Sequence, residues 1–308
     1  MMKALVSREG KAVITQLPRP TITSDDEILL QVILAGICRT DLLVADGTIS
    51  CYKESSGCQE SAFGHEFCGR VVAAGHSVTH FYPGQRVAVN PVLACGQCSD
   101  CQSGNGYLCS NSGLLGINAP GAFAEYIKVS ASQCYRVAES ISDHLVAYAE
   151  PVAAMLSTLN CGIKPQQHIG ILGSDRIARL CQFILSTEGL DVITINKEQP
   201  VDVLPVDVLI VTSFIRECLP VNLVKPGGMI IIKSRSPFSS TVCYSDIVQR
   251  RLILLGVNYA PFTTALKFIE AYQQSLMPFI GSSYPLDRFA GAFKADSAQK
   301  IFLVPCVG

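Results

Sequence analysis

Hydrophobic positions follow two regimes along this 308-residue chain. In the first half they come in short β-prone runs, Val32–Leu34, Val71–Ala73 and Arg86–Val89, separated by Gly, Pro and Asp turn signals. Thr48–Ala62 interrupts these runs as a polar stretch containing Gly57, and it is expected to form a surface loop. From Glu150 the pattern changes. Pro151–Cys161 has helical character, with Pro165 as its stop. His168–Leu172 then reads as a strand, Asp175–Thr187 as a helix and Asp191–Ile195 as a second strand. Val206–Val211 and Met229–Lys233 supply two more strands, with Lys225-Pro-Gly-Gly228 as the turn between them. Apolar runs of this length suit strands buried on both faces. Strands alternating with helices predict a parallel, doubly wound α/β sheet. Pro261–Gln274 and Pro285–Ala298 read as closing helices, and no internal repeat interrupts the pattern.

Charge narrows the functional classes. A net charge of −1 and a charged fraction of 16% give no electrostatic grip on nucleic acid. Hydrophobic residues make up 49% of the chain and the mean hydropathy is +0.34. Even so, no run approaches the roughly twenty apolar residues of a membrane span. Met1–Gly10 carries Lys3, Arg8 and Glu9 and lacks the apolar core of a signal peptide. The expectation is a cytoplasmic protein with no membrane and no nucleic-acid partner.

Of the fourteen cysteines, four change the picture most. Cys95, Cys98, Cys101 and Cys109 are spaced C-x₂-C-x₂-C-x₇-C within fifteen residues, among Gly96, Gly104 and Gly106. Four thiolates so close can wrap one tetrahedral ion, and a structural zinc is the preferred reading. Two disulfides or an iron–sulfur cluster would use the same residues. Cys38 is a separate candidate. Most of the other nine lie in apolar segments and read as small buried hydrophobes, while Cys51 and Cys58 sit in a polar stretch.

Cys38, His65, Glu66 and Glu150 are ligand material too far apart in sequence for spacing to decide. Their surroundings decide instead. Gly36-Ile-Cys-Arg-Thr-Asp41, Gly64-His-Glu-Phe-Cys-Gly-Arg-Val-Val72 and Pro83-Gly-Gln-Arg-Val-Ala88 are joined by the four-cysteine lobe. Gly121-Ala-Phe-Ala-Glu-Tyr126, Glu150-Pro151 and Lys225-Pro-Gly-Gly228 follow in order. Together they resemble the zinc-dependent medium-chain dehydrogenase/reductase superfamily of alcohol, polyol and threonine dehydrogenases. The resemblance implies a β-rich GroES-like catalytic domain, residues 1–152 and 262–308, with a reduced Rossmann-like cofactor domain, residues 153–261, inserted in it. It implies two zincs per chain, the structural one and a catalytic one on Cys38, His65, Glu66 and Glu150. Glutamates at positions 66 and 150 resemble the polyol and threonine dehydrogenase branch. Such a zinc would acidify a small alcohol whose hydride passes to NAD or NADP. Thr40 matches the residue whose hydroxyl carries the alcohol proton outward, and it also suits a helix cap or turn. Glu66 would ligate or exchange with water and substrate. Arg39 matches a pyrophosphate contact in some relatives, or is a solvated arginine. A homo-oligomer, dimer or tetramer, formed through the cofactor-domain sheet is the expected assembly.

The cofactor segment departs from the dinucleotide pattern. In place of G-x-G-x-x-G the chain reads Gly173-Ser-Asp-Arg-Ile-Ala178. Asp175 puts a carboxylate where a pyrophosphate should meet backbone N–H groups, unless Arg176 or Arg179 compensates. Asn196-Lys197 stands where an acidic residue would hold the ribose in NAD enzymes, which would favour NADP or specify nothing. Lys197–Pro205 spans only nine residues, two of them proline, where relatives place several elements. Three functions are therefore compatible, in this order. The first is a zinc-dependent oxidoreductase using NAD(P) on a small-molecule substrate. The second is a zinc-dependent lyase or isomerase that has lost the dinucleotide, and the third a non-enzymatic, zinc-stabilised scaffold or subunit that binds a partner or small ligand.

Overall fold

The computed structural model describes residues 1–50, 60–196, 205–295 and 298–306. In chain order its strands are β1 (Met2–Arg8), β2 (Lys11–Leu17), β3 (Glu27–Gly36), β4 (Glu66–Ala74), β5 (Arg86–Val89), β6 (Val92–Leu93), β7 (Gly113–Leu114), β8 (Tyr126–Ser130) and β9 (Cys134–Arg136). After these come β10 (Ile169–Leu172), β11 (Val192–Ile195), β12 (Val206–Val211), β13 (Val224–Ile232), β14 (Ile253–Gly256), β15 (Ile280–Pro285) and β16 (Lys300–Val304). The α-helices are α1 (Arg39–Ala45), α2 (Ser99–Gln102), α3 (Asp143–Ala147), α4 (Ala149–Leu156), α5 (Arg176–Thr187), α6 (Tyr244–Arg250), α7 (Phe262–Ala271), α8 (Gln273–Leu276) and α9 (Phe289–Lys294). Two compact units result, Met1–Pro151 with Pro261–Gly308, and Val152–Ala260.

The first unit is β-rich. Its main sheet runs β15-β16-β3-β4-β5-β9, with β8 also paired to β3. The β3 strand is long and apolar because it is central, and Leu30, Val32 and Ala35 enter a core with Phe63, Phe67, Val71, Phe123 and Leu303. Antiparallel pairing sets Gly36 opposite Glu66. That single register brings the residues just after β3 beside those at the start of β4, which is how Cys38 meets His65. The β16 strand pairs Phe302 with Gly36 and adds Lys300 to the same neighbourhood.

The second unit holds a parallel five-stranded sheet in the order β11-β10-β12-β13-β14. Every residue of β10 is buried, as expected of a strand covered on both faces. Among the described residues β11 is an edge strand, whereas the six-stranded dinucleotide order carries one more strand outside this position. Lys197 and most of the short segment that follows it lie outside the described residues.

Several expected elements are corrected. Lys225-Pro-Gly-Gly228 is not a turn between strands. It lies within β13 as a bulge, because Val206 pairs with Val224 and Val208 already with Met229. Pro226 cannot donate to a ladder, and Lys225 is held by both carboxylate oxygens of Asp207 at 3.0 Å, so the extra residues are extruded. The helix expected at Pro285–Ala298 shrinks to α9 after a 3-10 turn, since Pro285 still belongs to β15. Pro261–Gln274 breaks near Tyr272 into α7 and α8. The helix expected at Pro151–Cys161 starts two residues earlier, and its last turn is 3-10. The pairs β1–β2 and β15–β16, and α6 and β14 as well, had no expectation.

Candidate metal centres

Two groups of side chains can hold a metal ion among the described residues, and both lie in the β-rich unit. The first is the four-cysteine lobe. The pair β6–β7 closes its base, matching Val92 to Leu114 and Leu93 to Gly113. Between them Cys98 Sγ lies 3.5 Å and Cys95 Sγ 3.9 Å from Cys101 Sγ. A tetrahedral ion with metal–sulfur bonds of about 2.3 Å sets its sulfurs about 3.8 Å apart. A disulfide needs about 2.05 Å, and all four thiols are free. The backbone N–H groups of Gln97 and Cys98 draw the Cys95 thiol down to about 6, in the direction a metal ligand requires. Burial pushes Cys101 the other way, to about 12.

From Ala94 to Ser112 only Cys109 is buried, so the lobe has no apolar core of its own. Its order must come from the four thiolates and their ion. Replacing Cys101 with serine should therefore release one metal equivalent and open the segment to limited proteolysis between Ala94 and Ser112. Full metal content with unchanged protease resistance would contradict this account.

The second group is Cys38, His65 and Glu66, each offering one ligand atom within 4.8 Å of the others. Cys38 is the N-cap of α1 in extended backbone, with His65 immediately before β4 and Glu66 its first residue. His65 and Glu66 are 2% and 1% exposed, so neither is an ordinary surface polar group. Fully buried Asp41 ties the site together. Its Oδ2 accepts from the Cys38 N–H at 2.8 Å, and its Oδ1 faces His65 Nδ1 at 3.4 Å. A carboxylate on one ring nitrogen orients the imidazole and leaves Nε2 for a metal. Burial pulls the His65 pKa down, but Asp41 and Cys38 outweigh it and hold it well above the ordinary value. Glu66 is raised by burial, restrained by Lys300 and raised further by Glu150. Lys300 is 1% exposed and its Nζ makes an ion pair with Glu66 Oε2. Gly36 makes room for that pair, because a Cβ there would lie 2.6 Å from Glu66 Oε2 and 2.7 Å from Lys300 Cε.

The remaining expected residues divide. Glu150, 8% exposed on α4, bears on Glu66 electrostatically but is outside the group whose ligand atoms lie within 4.8 Å. Thr40 is not a cap. It is the second residue of α1, with Oγ1 3.7 Å from Cys38 Sγ. Arg39 opens α1 and is half-buried. Gly173 follows β10, Arg176 opens α5, and Asn196 is exposed after β11. Asp175 is the N-cap of α5, and its Oδ1 accepts from the N–H groups of Ile177 and Ala178, both at 3.0 Å. Asp41 and Lys300 were missed. The spacing of Asp41 from an N-cap three residues earlier is a capping-box signal, whereas Lys300 is 234 residues from Glu66 and has none.

The chemistry of the donor sets fits zinc at both centres: four thiols in one, and thiol, imidazole and carboxylate in the other. A dinucleotide does not fit the start of α5 as it stands, because Asp175 already occupies donors that a pyrophosphate would use.

Known proteins share parts of this chain. Residues 24–139 match the alcohol dehydrogenase GroES-like domain. L-Threonine 3-dehydrogenase of Xanthomonas campestris pv. campestris is 36% identical over 157 residues, 49% of this chain and 44% of the relative, so the chain covers less than half of its length. A Sinorhizobium meliloti structure, named as a zinc-binding dehydrogenase bound to NADP, superposes with a TM-score of 0.82 over 99% of both chains at 26% identity. The 2R,3R-butanediol dehydrogenase of Bacillus subtilis shares the fold, with a TM-score of 0.82 at 22% identity over 99% of this chain and 100% of that one.

Proposed function

We propose that this chain is a zinc-type medium-chain dehydrogenase/reductase, a zinc-dependent oxidoreductase of a small alcohol, polyol or amino alcohol, or of the matching carbonyl, a reading supported by the matching GroES-like domain and the similar dehydrogenases. The observation that carries this reading is the Cys38–His65–Glu66 group, in which the thiol is half-buried and the imidazole and carboxylate are buried. A scaffold gains nothing from converging a thiol, a buried imidazole and a buried carboxylate on one point. These three residues would hold the catalytic zinc, with Glu150 as a nearby acidic group, and Cys95, Cys98, Cys101 and Cys109 would hold the structural one. When bound, the catalytic zinc supplies Lewis acidity that lowers the pKa of a substrate hydroxyl. The chain does the rest. Asp41 would hold His65 in orientation, Lys300 would offset the charge of Glu66, and the Thr40 hydroxyl beside Cys38 would pass a proton outward. Position 43 is leucine, which carries no proton, so the proton would continue through water, a cofactor hydroxyl or a different residue.

NAD or NADP is the redox partner in this reading. The Asp175 cap favours a second reading, a zinc-dependent lyase or isomerase without a dinucleotide, in which Glu66 or Thr40 would move the proton. A homo-oligomer and a cytoplasmic location complete the proposal. Its support for assembly is β14, an edge strand whose Ile253 and Leu254 are exposed, as are Tyr244 and Val248 of α6. No helix among the described residues is long and apolar enough to cross a membrane.

Metal analysis of the purified chain should find two zincs, and fewer than one would remove both assignments. L-Threonine and 2,3-butanediol, the alcohols of the named relatives, are the first substrates to assay, following NADH and NADPH absorbance. Zinc-dependent turnover of a carbonyl substrate without any dinucleotide would select the second reading.

A further inference from the structure

We infer that Asp175 is a built-in competitor for the dinucleotide, so that this chain admits NAD(P) only when the Asp175 cap is released. The inference rests on the oxidoreductase reading and concerns the affinity of its cofactor.

A helix leaves its first N–H groups without partners in the helix, and an anion placed there satisfies them. In the dinucleotide motif the second glycine keeps this place clear, so that the pyrophosphate reaches the backbone. Here that position is Asp175. Its backbone is extended, with φ −79° and ψ 178°, and the side chain folds back over α5, a helix of twelve residues. One carboxylate oxygen takes the N–H groups of both Ile177 and Ala178 at 3.0 Å. Aspartate is among the strongest N-caps. The carboxylate is therefore more than a negative charge near the phosphates, because it holds the donors themselves.

The rest of the turn keeps the shape the motif needs. Gly173 has φ +148°, and a Cβ there would lie 2.4 Å from Thr212 Oγ1 and 2.6 Å from Ser213 Oγ. The strand end therefore approaches its neighbour as closely as a glycine allows. Ala178 is fully buried, which suits close helix–strand contact. The obstruction sits on one side chain, and removing that side chain should clear it.

The test is calorimetric titration of the zinc-loaded full chain with NADH and, separately, NADPH. It compares the wild type with Asp175→Gly and Asp175→Asn. Glycine is a tolerated N-cap and should leave the fold intact. Asparagine caps as well as aspartate but carries no charge. Asp175→Gly should bind one of the two cofactors at least about ten-fold more tightly than the wild type, and Asp175→Asn should gain less. Equal affinities in wild type and Asp175→Gly overturn the inference and leave the dehydrogenase reading in place. No binding by either protein at millimolar cofactor overturns both. An Asn gain as large as the Gly gain assigns the loss to charge alone and overturns the cap as its cause.

Discussion

Cys38→Ser should lose one of two zinc equivalents and nearly all turnover while melting at the wild-type temperature. The three effects separate because Cys38 has two jobs carried by different atoms. Its backbone is the N-cap of α1, donating N–H to Asp41 Oδ2 at 2.8 Å, and a serine backbone does the same. Serine is also a stronger N-cap residue than cysteine, so α1 should not fray. The thiolate is another matter. A serine hydroxyl stays protonated near neutral pH and is a poor zinc ligand, which leaves His65 and Glu66 as the remaining pair of the group. Changes that merely disturb a residue supporting a metal ligand cost about 10–100-fold in affinity or activity. Loss of a ligand should exceed that. The checks are zinc content by mass spectrometry, initial rates on the active alcohol, and a thermal melt. Two retained zincs with full activity would place the catalytic metal elsewhere, and a collapsed melt would make Cys38 structural.

Locality decides which parts of the two centres were legible in the sequence. The four-cysteine lobe is written in fifteen consecutive residues, so spacing alone brings its sulfurs within reach. Cys38, His65 and Glu66 come from either side of a long connection. They meet because β3 pairs with β4 in the register that sets Gly36 opposite Glu66, and residue spacing contains no record of that pairing. Resemblance supplied what spacing could not. Lys300 needed a further strand pairing, β16 on β3, and went unseen. Asp175 is the opposite case. The signal was local, since aspartate ahead of an apolar-periodic segment is an ordinary helix start. The expectation treated the residue as an obstacle to phosphate, and the structure adds that the same carboxylate already satisfies the helix. In the parallel sheet, β10 and β12 were readable as short apolar runs, the second interrupted only by Asp207. The bulge at Lys225-Pro-Gly-Gly228 was not, because its glycines and proline carry the composition of a turn while Asp207 holds it inside a strand.

Lys300→Met should destabilise the β-rich unit by about 3–5 kcal/mol, out of the roughly 5–15 kcal/mol typical of a whole domain. The expectation follows from where the ion pair lies. Lys300 and Glu66 are each 1% exposed, so neither can turn to water when its partner goes. Methionine fills the volume of the lysine stem but leaves the carboxylate beside Glu150, whose field already works against Glu66. A surface pair would behave differently. Lys3–Asp287, at 32% and 54% side-chain exposure, should contribute little, because water screens it. The measurement is urea unfolding of zinc-free protein, so that metal affinity does not enter the comparison. Glu66→Gln on top of Lys300→Met should recover much of the loss, because a neutral amide no longer needs the cation. The recovered part is the coupling between the two sites. A single-mutant loss below about 1 kcal/mol would mean that Lys300 does not hold Glu66 in solution. The carboxylate would then be turned toward Cys38 and His65 even without a metal, and Lys300 would have no part in setting the charge of the site.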